Sequence, residues 1–305
     1  MEVSRWNFLG DDPGIPGLNF RPVDLVSERD QVLAVIQRSC AADGVDRLRH
    51  WRGCNSTHLA DRDGSAWVER IVAVINGRMV AFAEVKQEGE AGHFSMDGHV
   101  LADWRCCGIG SALIDHIETT CRARHANFIN NGAPILETCA QGTMTSRRQL
   151  LQDRGFEIFL YRFEFILPKL TILPIPTRLP EFGISQRNIS ELPTNIARGF
   201  ERLENAYCVM ADEVTGAVGF FDEDENRQFA RKRGYIRTFF GNGQQKVPQK
   251  SGIILSCLAY LQEAGMQEAV VNADVEVEEG SFDFSLYVAL GFHLENRLLM
   301  VRKEL

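Results

Sequence analysis

Apolar positions in the first half of the chain switch between two periods. After a short extended run at Leu18–Val23, the segment Asp24–Cys40 sets Val32, Val35 and Ile36 on one side of a helix. Trp67–Ile75 and Arg78–Val85 are apolar-rich runs joined by Asn76-Gly77. Asn-Gly supplies the positive φ values of a tight turn, so the pattern predicts an antiparallel hairpin. His93–Leu101 extends that meander by a third strand. Gly108–Arg124 then carries Ile109, Leu113, Ile117 and Cys121 at four-residue spacing, the stripe of an amphipathic helix. A strand at Ala133–Thr138, a helix at Thr143–Arg154 and a strand at Glu157–Leu167 complete the half.

The second half repeats this order. A strand at Phe182–Gln186 precedes a hairpin turning at Thr215-Gly216, a strand near Tyr235–Phe239 and a helix at Gly252–Ala264. A strand at Ala269–Ala273, a helix ending near Leu290 and a strand at Leu298–Val301 follow. Asp153-Arg154-Gly155-Phe156 at one helix end matches Ala289-Leu290-Gly291-Phe292 at the other. A repeat this long implies two copies of one domain, since solenoid units are far shorter. Between the copies, Pro168, Pro174, Pro176 and Pro180 mark an extended linker. The expected division is therefore 1–167, a linker at 168–180, and 181–305, each copy an α/β unit with a mixed sheet.

Charge and cysteine content narrow the function. Lys and Arg number 33 against 41 Asp and Glu, a net charge of −8. Phosphate neutralisation needs a concentrated basic face, so no nucleic-acid partner is expected. Eight cysteines are too few for a disulfide scaffold, and no C-x2-C set suggests zinc, so reduced thiols and no metal are expected. No basic region followed by an apolar run opens the chain. The most apolar stretch, Glu157–Leu167, is interrupted by Arg162 and Glu164 and stopped by Pro168, so it reads as a strand and not a membrane span. A cytoplasmic monomer or homodimer is the expectation.

The strongest local feature is Arg105-Cys106-Cys107-Gly108-Ile109-Gly110-Ser111-Ala112, between a strand and a helix. Glycines there let backbone N–H groups converge, and the helix adds its unpaired donors and positive dipole end. The result is a pyrophosphate cradle, with a plain tight turn as the alternative. A dinucleotide fingerprint is not completed, because Leu113 stands where G-x-G-x-x-G needs its third glycine.

Taken with the Asn-Gly hairpin, the following strand and the Gly-Phe helix terminator, R-x-x-G-x-G resembles the GNAT N-acetyltransferases. Across nearly the whole chain the layout is similar to tandem GNAT proteins such as mycothiol synthase. That resemblance implies acetyl-CoA as cosubstrate, bound by Leu101, Ala102, Arg105, Cys106, Cys107, Gly108, Ile109, Gly110, Ser111 and Ala112. It implies transfer of the acetyl group to a small primary amine by direct attack in the first copy. The polar segment Asp43–His58 is where the resemblance puts the acceptor pocket, and Asp43 and Asp46 would attract an ammonium group there unless they are simply solvated.

Departures from the pattern matter. At the second loop the matching positions are Gln245, Pro248 and Lys250, so both glycines are gone and the second copy reads as degenerate. Family members often carry a Tyr four residues before the terminator glycine, which protonates the thiolate. Here that position is Leu151 in the first copy and Tyr287 in the second, where packing under the sheet is the favoured role. For the base, His93, Ser95, Asp97 and His99 alternate along one strand and share a face. His99 and Asp97 are the leading candidates and Glu84 on the preceding strand is a third, each weighed against a purely structural hydrogen bond. Cys139 reads as a buried inert thiol. A non-catalytic acyl-CoA-binding or sensing protein is the alternative function.

Overall fold

A computed structural model of the chain describes residues 7–45, 67–88, 92–126, 132–172, 185–187, 205–210, 216–221, 223, 226, 232–239, 247–277 and 284–305. The chain forms two compact units, Met1–Tyr161 with Leu298–Leu305, and Arg162–Arg297. They divide within two strands, at 161/162 and 297/298, and not in the proline-rich segment. Of that segment, Leu170–Ile172 form a single 3-10 turn, and 173–180 lie outside the described residues.

In the first unit, β1 (Leu18–Pro22), β2 (Val68–Ile75), β3 (Arg78–Gln87) and β4 (His93–Val100) make an antiparallel meander. The β2–β3 turn has Asn76 at φ 50° and Gly77 at φ 81°, the positive pair that the sequence requires of a tight hairpin. β5 (Ile135–Gln141) runs parallel to β4 and pairs on its other edge with Leu298–Glu304, the end of β12 (His293–Glu304). The β4–β5 ladder covers only three register pairs, His93↔Ile135 to Ser95↔Glu137. Beyond it the two strands part.

Helices cover both faces of this sheet, which is why β3 is buried over most of its length. On one face α2 (Ile109–His125) and α3 (Thr145–Asp153) pack Ile109, Leu113, Ile117 and Leu151 against Ala83, Phe94, Met96, Leu136 and Ala140. On the other, α1 (Leu25–Ala42) packs Val32, Val35 and Ile36 against Val72, Phe82 and Leu101. Asp24 caps α1 by accepting from Val26 N–H at 3.0 Å, satisfying one of the helix's unpaired donors.

The second unit has the same strand order. The Arg162–Leu167 part of β6 (Glu157–Leu167) neighbours β11 (Glu268–Glu276), which runs parallel to β10 (Arg233–Phe239). Then come β9 (Gly216–Phe220), β8 (Ala206–Met210) and β7 (Ser185–Arg187), all antiparallel. α4 (Val247–Glu263) lies close on this sheet because Gly234 has no Cβ, which would stand 2.5 Å from Leu261 Cδ2. α5 (Ser285–Ala289) precedes β12. α4 begins earlier than the pattern suggested, so Pro248 and Lys250 sit in its first turn, where proline costs no intrahelical bond. Gln245 and Thr215 lie outside the described residues, as do Asp46, His50, Trp51 and His58.

Candidate active site

β4 ends at Val100, and the chain then turns into α2 through a short open loop. Leu101 donates its N–H to Val80 O at 2.9 Å and buries its side chain, so that N–H is not offered to a ligand. Ala102–Trp104 make one 3-10 turn. Cys106 sits at φ 60° and Gly108 at φ 87°, and the first bond of α2 is Ala112 N–H to Gly108 O at 2.9 Å. Among the described residues, the N–H groups of Cys106, Cys107, Gly108, Ile109, Gly110 and Ser111 meet no acceptor. Cys106, Cys107 and Gly108 are exposed. A row of unspent donors at the positive end of a helix favours a polyanion.

The two glycines serve different ends. Gly108 supplies a left-handed backbone and leaves room for Pro13, whose Cβ lies 3.1 Å from where a Cβ would stand. At Gly110 a Cβ would stand 2.8 Å from Leu150 Cδ2. That glycine lets α2 approach α3, a packing demand in addition to the open backbone expected of it.

Arg105 does not face the loop's donors. Its Nη1 and Nη2 donate to both Asp43 oxygens at 2.6 and 2.9 Å, Nη2 also to Ser39 O and Oγ at 3.1 Å, and Nε to Val100 O at 3.2 Å. The guanidinium fork ties the loop to the end of α1. It also corrects the expectation for Asp43, whose carboxylate is taken up by Arg105 and not turned to an ammonium group.

Asp97, His99 and Glu84 come together, all under 5% exposed. Alternation puts Phe94 and Met96 toward α2, and Ser95, Asp97 and His99 toward α1. His99 Nε2 lies 3.0 Å from Asp97 Oδ2, and its Nδ1 is 4.0 Å from Cys40 Sγ on α1. Asp97 Oδ1 accepts from Gly98 N–H at 2.8 Å. Glu84 stands opposite Asp97 in the β3–β4 register and accepts from Arg70 Nε at 2.6 Å. Burial pushes the Glu84 carboxyl above its usual value, against the pull of Arg70. Ser95 Oγ donates to Glu88 at 2.7 Å and stands apart from this cluster, and His93 is exposed.

Sequence reasoning missed Arg147, in the first turn of α3. Its Nη1 donates to Asp97 Oδ1 and to Gly98 O, both at 2.8 Å, and its Nη2 to Thr138 Oγ1 at 2.9 Å. A signal was present: Arg147 and Arg148 sit in a first turn without acidic residues, where the helix dipole disfavours cations. A cation held there against the dipole needs an anion from elsewhere, and Asp97 supplies it.

Leu151 is buried in the core under α3 and offers no proton. Tyr287 is 1% exposed, stacks on Phe165 at 4.7 Å and reaches Thr238 Oγ1 only at 3.5 Å. Burial pushes its phenol up to about 12. Cys139 is disulfide-bonded, which corrects the reading of it as a thiol. Among the described residues, no three His, Cys, Asp or Glu side chains gather to hold a metal, and no helix is long and apolar enough to cross a membrane.

Residues 33–133, which hold the last part of α1, β2 to β4, the loop and α2, match the model of the Acetyltransferase (GNAT) family. No curated protein matches the chain by sequence. Among solved structures, a GCN5-related N-acetyltransferase from Sphaerobacter thermophilus superposes with a TM-score of 0.70 at 17% identity, covering 95% of this chain and 96% of that one. A tandem GNAT protein from the clavulanic acid biosynthesis pathway superposes with a TM-score of 0.58 at 15% identity, covering 94% and 98%. A glucosamine N-acetyltransferase region of a fungal multi-domain GH3 β-N-acetylglucosaminidase gives 0.67 at 12% identity, where this chain covers 39% of the larger protein. Residues 33–133 thus match the acetyltransferase (GNAT) family model, and nearly the whole chain has the fold of GNAT acetyltransferases.

Proposed function

We propose that the chain transfers the acetyl group of acetyl-CoA to a small primary amine, with the chemistry in the first unit. One observation carries this reading: six unspent backbone donors, Cys106 to Ser111, lie where β4 ends, just past the opening between β4 and β5. They suit a diphosphate, and the absence of a Cβ at Gly108 and Gly110 keeps the backbone open. Acetyl-CoA held there would supply an activated acyl thioester.

The residues of this chain then have three tasks. Cys106–Ser111 hold the diphosphate through N–H groups, and Arg105 fixes the loop that carries them. The opening between β4 and β5 orients the acyl end toward the polar face of β4. Asp97, His99 and Glu84 on that face receive the proton released when the amine nitrogen bonds to the acyl carbon and the C–S bond breaks. Glu84, its carboxyl raised by burial, is a better proton acceptor than an exposed carboxylate. With Leu151 in place of a tyrosine, the thiolate leaves unassisted by α3 or is protonated by water. Positioning supplies much of the rate in such a reaction. The second unit, with Tyr287 buried, is read as a supporting copy that does no chemistry.

Titration with acetyl-CoA, comparing the native chain with Ser111→Glu, tests the assignment. Glutamate in the first turn favours the helix and repels a diphosphate, so binding weakens about tenfold or more while the melting temperature holds. Equal affinity in the two proteins removes the cradle. The alternative reading, a non-catalytic acyl-CoA sensor, is motivated by Leu151. Mass spectrometry on a panel of primary amines decides it: tight acetyl-CoA binding with no acetylated amine favours the sensor.

A further inference from the structure

Gln141 closes β5 and carries a buried amide with nothing to bond. The residue is 5% exposed, and among the described residues its Nε2 meets no acceptor. Its backbone is pinned on both sides. It stands opposite Leu298 in the β5–β12 register, and its carbonyl accepts from Met144 N–H at 3.1 Å. A buried donor left unmet destabilises a fold, so it calls for a partner that the chain itself does not supply.

Its place in the sheet says where that partner would sit. Leu136 and Ala140 pack in the core under α2 and α3, so alternation along β5 turns Cys139 and Gln141 to the face that Asp97 and His99 share. The β4–β5 ladder ends at Ser95↔Glu137. Carried on beyond that pair, the same register sets Gln141 level with His99, across the opening between the two strands.

We propose that Gln141 is a catalytic residue whose Nε2–H donates to the acyl oxygen of the thioester. The role rests on the acetyl-transfer reading above; the unmet amide does not. An amide nitrogen donates and takes up no proton, so Gln141 is not a base. Nor does a donor suit the amine, whose lone pair must stay free to attack. The acyl oxygen is the atom that gains. As the amine nitrogen bonds to the acyl carbon, the carbonyl π pair moves onto that oxygen. It returns when the C–S bond breaks with its pair on sulfur, and the nitrogen's proton passes to the polar face of β4. A neutral donor, fixed and already stripped of water, stabilises the passing charge without reorganising. Two neighbouring donors are already spent, Arg147 on Asp97, Gly98 O and Thr138, and Gly98 N–H on Asp97.

Isotope-edited infrared spectroscopy, with acetyl-CoA carrying carbon-13 at the carbonyl, reads the contact in the bound complex. A hydrogen bond weakens the C=O bond, so the carbonyl band of the native complex lies at lower wavenumber than that of Gln141→Met. In the ligand-free chain the same change removes an unmet donor, and Gln141→Met melts about 2 °C or more above the native protein. In turnover, kcat falls about a hundredfold while KM for acetyl-CoA holds, as on loss of one oxyanion donor. Should Gln141→Met not fold, Gln141→Leu carries all three measurements. An unchanged carbonyl band with acetyl-CoA bound overturns the role. A melting temperature below the native one in both variants also overturns it, since the amide would then have an acceptor inside the protein. A shifted band with no acetylated amine from any of the proteins leaves the contact standing and removes the acetyl-transfer reading instead. Failure of the native chain to bind acetyl-CoA removes both.

Discussion

Arg105 and Asp43 stand 62 residues apart in sequence and share a two-pronged ion pair at 2.6 and 2.9 Å. Asp43 caps the C-terminal end of α1, where the helix dipole is negative and a carboxylate is unwelcome. The guanidinium offsets that, and it ties the start of the loop before α2 to a helix on the opposite face of the sheet. Hydrogen bonds between charged groups are worth about 1.5–3 kcal/mol, so Asp43→Asn and Arg105→Gln each lose roughly that much stability in urea denaturation. The double variant loses clearly less than the sum. Strict additivity would show that the two side chains do not support one another.

Glu84 and Glu28 are expected to titrate in opposite senses. Arg21 bonds Glu28 and lowers its carboxyl, whereas burial raises that of Glu84 above 4.5. A raised carboxyl binds its proton in the folded chain before the unfolded one does, so its contribution to stability grows as pH falls through the folded value. It is complete below 4.5, where both states are protonated. Chemical denaturation at pH 7, 6 and 5 checks this. The native chain gains stability relative to Glu84→Gln as the pH is lowered, and a difference that shrinks on acidification contradicts the burial of that carboxylate.

Much of this was legible locally. Asn76-Gly77 declared its turn because few other pairs tolerate two positive φ values. Gly155 and Gly291, at φ 78° and 85°, ended their helices as the Gly-Phe signals indicated. Asp97 and His99 were found through strand alternation, since two residues on one strand two apart must share a face. The partners that decide their chemistry were not legible. Arg147 lies 50 residues from Asp97, and only the parting of β4 from β5 lets it through. Gly110 looked like a ligand position, and the reason it must be small is Leu150 on another helix. Neither fact has a short-range pattern, because each depends on how separate elements pack.

Leu298–Leu305 belong to the first unit although they close the second half of the sequence. Leu298 is fully buried beside Cys139 and Met300, Val301 joins the core beneath α2, and Lys303 Nζ bonds Glu118 on α2 at 2.5 Å. Leu298→Ala loses about 2–4 kcal/mol of stability, as deletion of buried leucine atoms does. Removing residues 298–305 leaves the β5 edge unpaired, and acetyl-CoA binding falls with it. A truncated chain with native acetyl-CoA affinity and an unchanged denaturation midpoint would separate these residues from the first unit's fold.

The assignment of strand ends to the two units makes the two halves of the sequence inseparable in inheritance. Six residues of β6 serve the second unit's sheet, and the end of β12 serves the first. A gene cut at the proline-rich segment would yield two fragments each lacking an edge of its own sheet. Any loss of the chain's last strand would therefore fall on the first unit, although that strand is encoded at the far end of the second half.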